Sequence, residues 1–237
     1  MIEMIRRFVR QKFGSAGLIV ALAALALLEV LGLVSRGADQ GLNTANWAIL
    51  VLAAGSVSRD VSSGALQVIL SRPIRRTEYL FGRYLGVLAT YGIFLVFTVL
   101  LTLLVARIAQ AYGVGPAAAD LSAGKLAVAA GGAFLSGALQ ASILLLFSTF
   151  LPGIADLLGL LLLYLVLNLP QMSSAPGLRN AAEKARENML PVVAWNEVLR
   201  GHGALGAATG RWVFGLTVYL ALAAVVFNRR ELPYGQE

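Results

Sequence analysis

The chain has 237 residues, of which 58% are hydrophobic and only 13% charged, with a mean hydropathy of +0.78. A soluble single domain could not hide that much apolar surface in one core, so the composition specifies an integral membrane protein. The formal charge of +7 would suit nucleic acid, but the basic residues cluster beside apolar runs, which argues for a membrane surface and against nucleic acid; the absence of cysteine excludes disulfides and thiolate metal sites.

Residues 1–12 (MIEMIRRFVRQK) place Met1, Ile5, Phe8 and Val9 on one helical face and Arg6, Arg7, Arg10 and Lys12 largely elsewhere, the pattern of a helix lying in the membrane interface. A signal peptide also starts with positive charge before an apolar run. The run here, 13–34, holds 22 residues, more than the usual signal core. At 1.5 Å per residue it extends ~33 Å and can span with some tilt. Glu29 is its only charge. A second span, 43–58, is uncharged but shorter, with Trp47 placed to anchor its outer end.

The segment 59–79 then breaks the apolar pattern. With Arg83 just beyond it, five arginines (Arg59, Arg72, Arg75, Arg76, Arg83) face two acids (Asp60, Glu78). Short loops this rich in arginine stay on the cytoplasmic side, so the segment reads as a cytosolic docking surface. The third span is drawn at 80–106, with Leu85 to Ala106 free of charge.

From Leu126 to Pro170 there are 45 residues with Asp156 as the only charge. As one helix they would reach ~67 Å, about twice the hydrocarbon thickness. Pro152-Gly153 is the natural point of reversal, giving spans at 126–150 and 154–170. The outer segment 171–211 follows. It holds a helix-like stretch, Leu178 to Leu190, and is too short to bury a core of its own, so it reads as a hairpin on the outer surface. A sixth span, 212–228, ends at Arg229-Arg230.

Counting lysine and arginine by side, with the N-terminus inside, gives eleven inside and eight outside, the latter spread mostly through longer loops. Both termini are therefore expected in the cytoplasm. The expected fold is an all-α membrane protein with six transmembrane helices, an N-terminal interfacial helix, a cytosolic loop helix and a short outer interfacial segment.

A search for chemistry finds little. The nearest approach to a nucleotide-binding loop is Gly124-Lys125, where Ala119 replaces the earlier glycine and Leu126 follows. His202 is the only histidine, between Gly201 and Gly203, and has no second histidine or cysteine with which to share a metal. No catalytic, cofactor-binding or metal residue is therefore expected. Glu29 reads either as a pathway contact or proton relay or as a packing carboxylate, at even odds. Asp156, in the first turn after Pro152-Gly153, suits the positive end of a helix, so a structural role is favoured over transport. Gly82 and Gly86 form a GxxxG that favours close packing within the chain over dimerisation.

Taken together, Arg59-Asp60-Val61-Ser62-Ser63-Gly64-Ala65-Leu66-Gln67-Val68-Ile69-Leu70-Ser71-Arg72-Pro73-Ile74-Arg75-Arg76 resembles the cytosolic signature of ABC-2 type transporter permeases. Leu80 to Gly86 (LFGRYLG) and Phe227 to Leu232 (FNRREL) are similar to that family's entrance to span three and its last-helix exit, and the resemblance covers essentially the whole chain. It implies the membrane subunit of an ATP-driven exporter, a multi-pass protein of the plasma membrane, the inner membrane of a bacterium. The implied partners are two cytosolic ATPase subunits, a second permease copy or paralogue, and membrane lipids. No cofactor is implied for this chain, with ATP and Mg on the partner ATPase.

On that resemblance the 61–70 helix couples to the ATPase. Leu66, Ile69 and Leu70 supply its apolar surface and Arg59, Asp60 and Arg72 polar contacts, within a set that also includes Ser63, Gly64, Gln67, Pro73, Arg75 and Arg76. The physical part of that expectation is that an amphipathic loop helix needs a partner or the lipid interface for its apolar side. Two other readings stand beside it: a secondary transporter or channel using Glu29, Asp156 and Arg107 without an ATPase, and a membrane scaffold that transports nothing.

Overall fold

The computed structural model describes residues 2–36, 42, 45–62, 66, 74–112, 121–151, 155–168, 180, 195–199 and 204–229. Every regular element among them is helical. The amphipathic N-terminal segment forms α1 (Ile2–Phe13), with Phe8 buried and Arg6, Arg7 and Arg10 exposed. Gly14 and Ser15 break it, and α2 (Ala16–Arg36) follows. In α2 the buried residues Leu22, Ala26, Glu29, Val30 and Leu33 form one stripe, while Ile19, Val20, Leu27, Leu28 and Leu31 on the other faces are exposed and apolar. That inversion of the soluble pattern is what a helix facing lipid requires.

The second expected span differs most from expectation. The helix α3 occupies only Ala45–Ala53, nine residues or ~13.5 Å, too short to cross the hydrocarbon by itself. It stops because Gly55 turns into the left-handed region at φ 64°, which a side chain would resist. A turn over 54–57 then leads into the short helix α4 (Ser58–Ser62).

The expected third span lies inside a longer helix, α5 (Arg76–Ala111), whose 36 residues extend ~54 Å. Its buried Thr90, Thr98 and Thr102 hydroxyls donate to the carbonyls of Gly86, Phe94 and Thr98 at 2.8, 2.9 and 2.8 Å, so none is left unsatisfied in the apolar interior. After it come α6 (Ala123–Phe150) and α7 (Ala155–Asn168), which pack on each other. Pro152 and Gly153 lie outside the described residues. The Ser122 side chain caps α6 by accepting from the Lys125 N–H at 3.2 Å.

Most of the expected outer segment, including Leu178 to Leu190 except Asn180, lies outside the described residues. The described parts are a short helix, α8 (Trp195–Leu199), and the last helix, α9 (Leu205–Arg229). The last helix starts seven residues earlier than position 212. Gly206, Gly210 and Arg211 depress the local hydropathy without breaking the helix, and Ala207 and Ala208 favour it. By length and composition α2, α5, α6 and α9 can cross a membrane; α7 is apolar but shorter.

The hub is α6, against which α9, α5, α3, α8 and α7 all pack. Its buried face carries Ala129, Gly132, Ala133, Gly137, Ala138 and Ala141, small residues that let neighbouring helices approach closely. Its carbonyls accept from the neighbours: Tyr91 Oη to Ala133 O (3.2 Å), Tyr84 Oη to Ala138 O (3.1 Å) and Trp212 Nε1 to Leu135 O (2.7 Å). The pair Gly82 and Gly86 serves packing within the chain. A Cβ on Gly86 would come within 2.9 Å of the Phe8 ring and one on Gly82 within 3.1 Å of Met4 Sδ, so α1 lies in the groove these glycines leave on α5.

Among the described glycines the closest approach falls at Gly137, where a Cβ would overlap the edge of the Tyr91 ring. Gly137→Val is expected to lower thermal stability in detergent by ~1–3 kcal/mol, the usual cost of overpacking. Gly124→Ala, at a position with nothing within 4 Å, should leave the unfolding midpoint unchanged.

Candidate functional site

The polar groups that the sequence singles out are drawn into a chain of anchors around α3, α4 and the start of α5. The first is Glu29, 2% exposed, whose Oε2 accepts the N–H of Ala45 at 2.9 Å. Ala45 begins α3, so a carboxylate from α2 satisfies one of the N–H groups that a helix start leaves without an internal partner, at the end where negative charge is stabilised.

The second anchor holds the turn after α3. Gly55 N donates to Asp156 Oδ2 at 2.7 Å, and Val57 N and Ser58 N both donate to Ser148 Oγ, at 3.1 and 3.0 Å. Asp156 is fully buried in the first turn of α7, where its Oδ1 also accepts the Leu157 N–H at 2.8 Å. Its placement at a helix N-terminus agrees with the sequence reading. What the sequence does not show is that it also reaches a turn 101 residues away.

The third anchor is an ion pair. Asp60 on α4 accepts from the guanidinium of Arg83 and from the hydroxyl of Tyr79, and Arg83 Nε donates to Tyr79 Oη at 3.2 Å. Both ionic side chains are largely removed from solvent. The guanidinium also lies over the rings of Phe8 (5.2 Å) and Tyr79 (5.4 Å), a cation–π arrangement that ties α1 to the same cluster. Arginine suits this place because its flat, delocalised cation can pair and stack at once.

The fourth anchor closes the ring of contacts on the last helix. Arg76 Nη1 donates to the carbonyls of Phe227 (3.4 Å) and Asn228 (3.2 Å), and Tyr79 stacks on Phe227 with centroids 5.8 Å apart. A cation on the last carbonyls of a helix is favoured by charge and hydrogen bonding together.

Of the residues expected to touch an ATPase, Asp60 and Leu66 point inward. Leu66 is buried in the core of this chain and Asp60 is engaged as above. Arg75 is exposed and Arg76 partly buried. The side chain of Arg59, and Ser63, Gly64, Gln67, Ile69, Leu70, Arg72 and Pro73, lie outside the described residues, as does His202. Among the described residues no group of three His, Cys, Asp or Glu side chains could hold a metal. Sequence reasoning counted Arg83 only as a charge, placed Phe8 only on the apolar face of α1, and passed over Tyr79 and Ser148. The i, i+4 spacing of Tyr79 and Arg83 was a legible hint; their distant partners were not.

Long apolar helices with exposed apolar faces define a multi-pass α-helical membrane protein. A family model described as "ABC-2 family transporter protein" matches residues 26–232, and the chain belongs to that family. It is thus a transport permease, the membrane component of an ABC transporter. No curated protein matches the chain.

The Glu29 contact gives a packing role for this carboxylate a direct test. Glu29→Gln keeps an acceptor oxygen for the Ala45 N–H and is expected to unfold within about 1 kcal/mol of wild type. Glu29→Leu leaves that buried N–H unsatisfied and should cost ~1–3 kcal/mol. Thermal unfolding of the purified variants in detergent checks both.

Proposed function

We propose that this chain is the membrane subunit of an ATP-driven exporter, which forms the substrate pathway as a dimer with a second copy or paralogue. Two separate cytosolic ATPase subunits, carrying ATP and Mg, drive it through the 59–79 loop. Both termini and that loop face the cytoplasm, and the membrane is the bacterial inner membrane.

The observation that carries this reading is the tethering of both ends of the loop. At its start, α4 is held through Asp60 to Arg83 on α5, and through the preceding turn to Ser148 on α6 and Asp156 on α7. At its end, Arg76 grips the final carbonyls of α9. A surface that receives force from another polypeptide must not absorb it locally, and a loop fixed to four helices moves them as rigid bodies. The rest of the coupling set, Arg59, Ser63, Gly64, Gln67, Ile69, Leu70, Arg72, Pro73 and Arg75, would meet the ATPase. Asp60, Leu66 and Arg76 would pass the movement inward.

A reading without an ATPase would use Glu29 and Asp156 as coupling charges. Both carboxylates already accept backbone N–H groups, which favours the structural role for each.

The first test is copurification of the tagged chain with a Walker-motif ATPase from the native membrane. A stable complex whose ATP hydrolysis rises with substrate is expected, and transport by the chain alone in ATP-free vesicles would overturn the proposal. Within that complex Arg76→Gln should keep the ATPase bound. It should lower stimulated turnover on the order of tenfold, the equivalent of one charged hydrogen bond of ~1.5–3 kcal/mol.

A further inference from the structure

Three strips run along α1. Met4 and Phe8 face α5 in the groove left by Gly82 and Gly86, and the Arg83 guanidinium lies 5.2 Å from the Phe8 ring centroid, so the roll of the helix about its axis is fixed. At about 3.6 residues per turn, Ile2, Ile5, Val9 and Phe13 then fall on a second strip and Glu3, Arg6, Arg7 and Arg10 on a third. Ile2 is 83% exposed and the other members of the second strip are partly buried, while all four charged residues are exposed.

The third strip is cationic. Arg7 pairs with Glu3 at 3.4 Å, one turn away, whereas among the described residues no acid engages Arg6 or Arg10. These two stand ~6 Å apart along the axis, at the border with the apolar strip. The depth of α1 is set by α2. Only Gly14 and Ser15 separate the two helices, and α2 is long and apolar enough to cross a membrane, exposing Ile19 and Val20 in its first turns. The end of α1 is therefore held where hydrocarbon gives way to headgroups.

We propose that Arg6 and Arg10 form a docking site for an anionic phospholipid, its phosphate shared between the two guanidinium groups and its first acyl carbons lying against Ile2, Ile5 and Val9. An acidic face of a soluble protein would answer the charge but leave the neighbouring apolar strip uncovered; a lipid answers both. Phosphatidylcholine offers the same phosphate but brings its own cation, so the site selects for net negative charge. The inference rests on the chain's being a membrane protein and is independent of the exporter reading.

The test is native mass spectrometry of the full chain, purified in detergent and titrated with phosphatidylglycerol or phosphatidylcholine. Wild type should bind phosphatidylglycerol in preference, and the preference should fall as ammonium acetate is raised. Arg6→Gln and Arg10→Gln should each weaken phosphatidylglycerol about fivefold, the share of one arginine at an anionic surface, and leave phosphatidylcholine within about twofold. Arg6→Lys combined with Arg10→Lys should keep most of the preference. Arg107→Gln removes the same charge from an exposed position at the end of α5 far from α1, and should change it less than about twofold. All these side chains are exposed, so each variant should first show an unfolding midpoint matching wild type. Equal binding of the two lipids by wild type, or an Arg107→Gln loss as large as that of Arg6→Gln, would overturn the assignment. So would unchanged phosphatidylglycerol binding when both arginines are replaced by glutamine, the result expected if they serve an acidic partner protein instead. Displacement of the lipid by equimolar glycerol phosphate would also overturn it, by indicating a phosphate site without a lipid.

Discussion

The break at Gly55 is the constraint on which the rest depends. Breaking a helix inside an apolar interior leaves the N–H groups of the turn and of the next helix's start without internal partners, and each would cost ~1–3 kcal/mol if left bare. Asp156 and Ser148 answer three of them, at Gly55, Val57 and Ser58. Both acceptors come from the hairpin of α6 and α7, so the path of α3 into α4 is fixed by helices ninety or more residues away. In return Asp156 gains donors that make a buried carboxylate tolerable, among them the Leu157 N–H of its own helix.

From that turn the constraint passes along the chain. The turn aims α4 so that Asp60 meets Arg83, and Arg83 fixes Tyr79 and the Phe8 ring beside it. Phe8 in turn needs the space left by Gly86. The amphipathic α1 is therefore held by a specific apolar socket and a stacked cation as well as by the general attraction of an amphipathic helix to the membrane surface. A buried ion pair adds little net stability against an apolar substitute, but it penalises any arrangement that separates its partners. Here it sets the register of α4 against α5.

The architecture was legible from hydropathy to the extent that it rests on length. The runs at 13–34, 80–106, 126–150 and 212–228 each fall on a helix able to cross the membrane. The run at 43–58 looked equally apolar, yet only 45–53 of it is the helix α3, because a glycine with positive φ and two distant polar side chains outweighed its hydrophobicity. Of the site, the dipole-stabilised position of Asp156 was readable, since it needs only a helix start. The capping role of Glu29 was not, because its partner is a backbone N–H sixteen residues on with nothing distinctive in its side chain. Arg76 on the end of α9 and Ser148 under the turn belong to the same class. Contacts from side chain to backbone leave no sequence mark at the receiving end.

Burial is distributed unevenly among the spans, and that bears on where a cargo can pass. Most of α6 is buried and its small-residue face is filled by tyrosines, whereas most of α9 is exposed, as are the leucines on the outer side of α7. A helix that neighbours cover on many sides can transmit movement but offers little wall to a substrate. Exposed apolar faces can meet either lipid or another chain. The contacts at the two ends of the loop lead to α5, α6, α7 and α9, so the hub and the exposed outer helices share one set of anchors. On the proposed dimeric reading, a rigid centre with its exposed helices tied to one loop would open a passage at its periphery, along the seam between two permease chains.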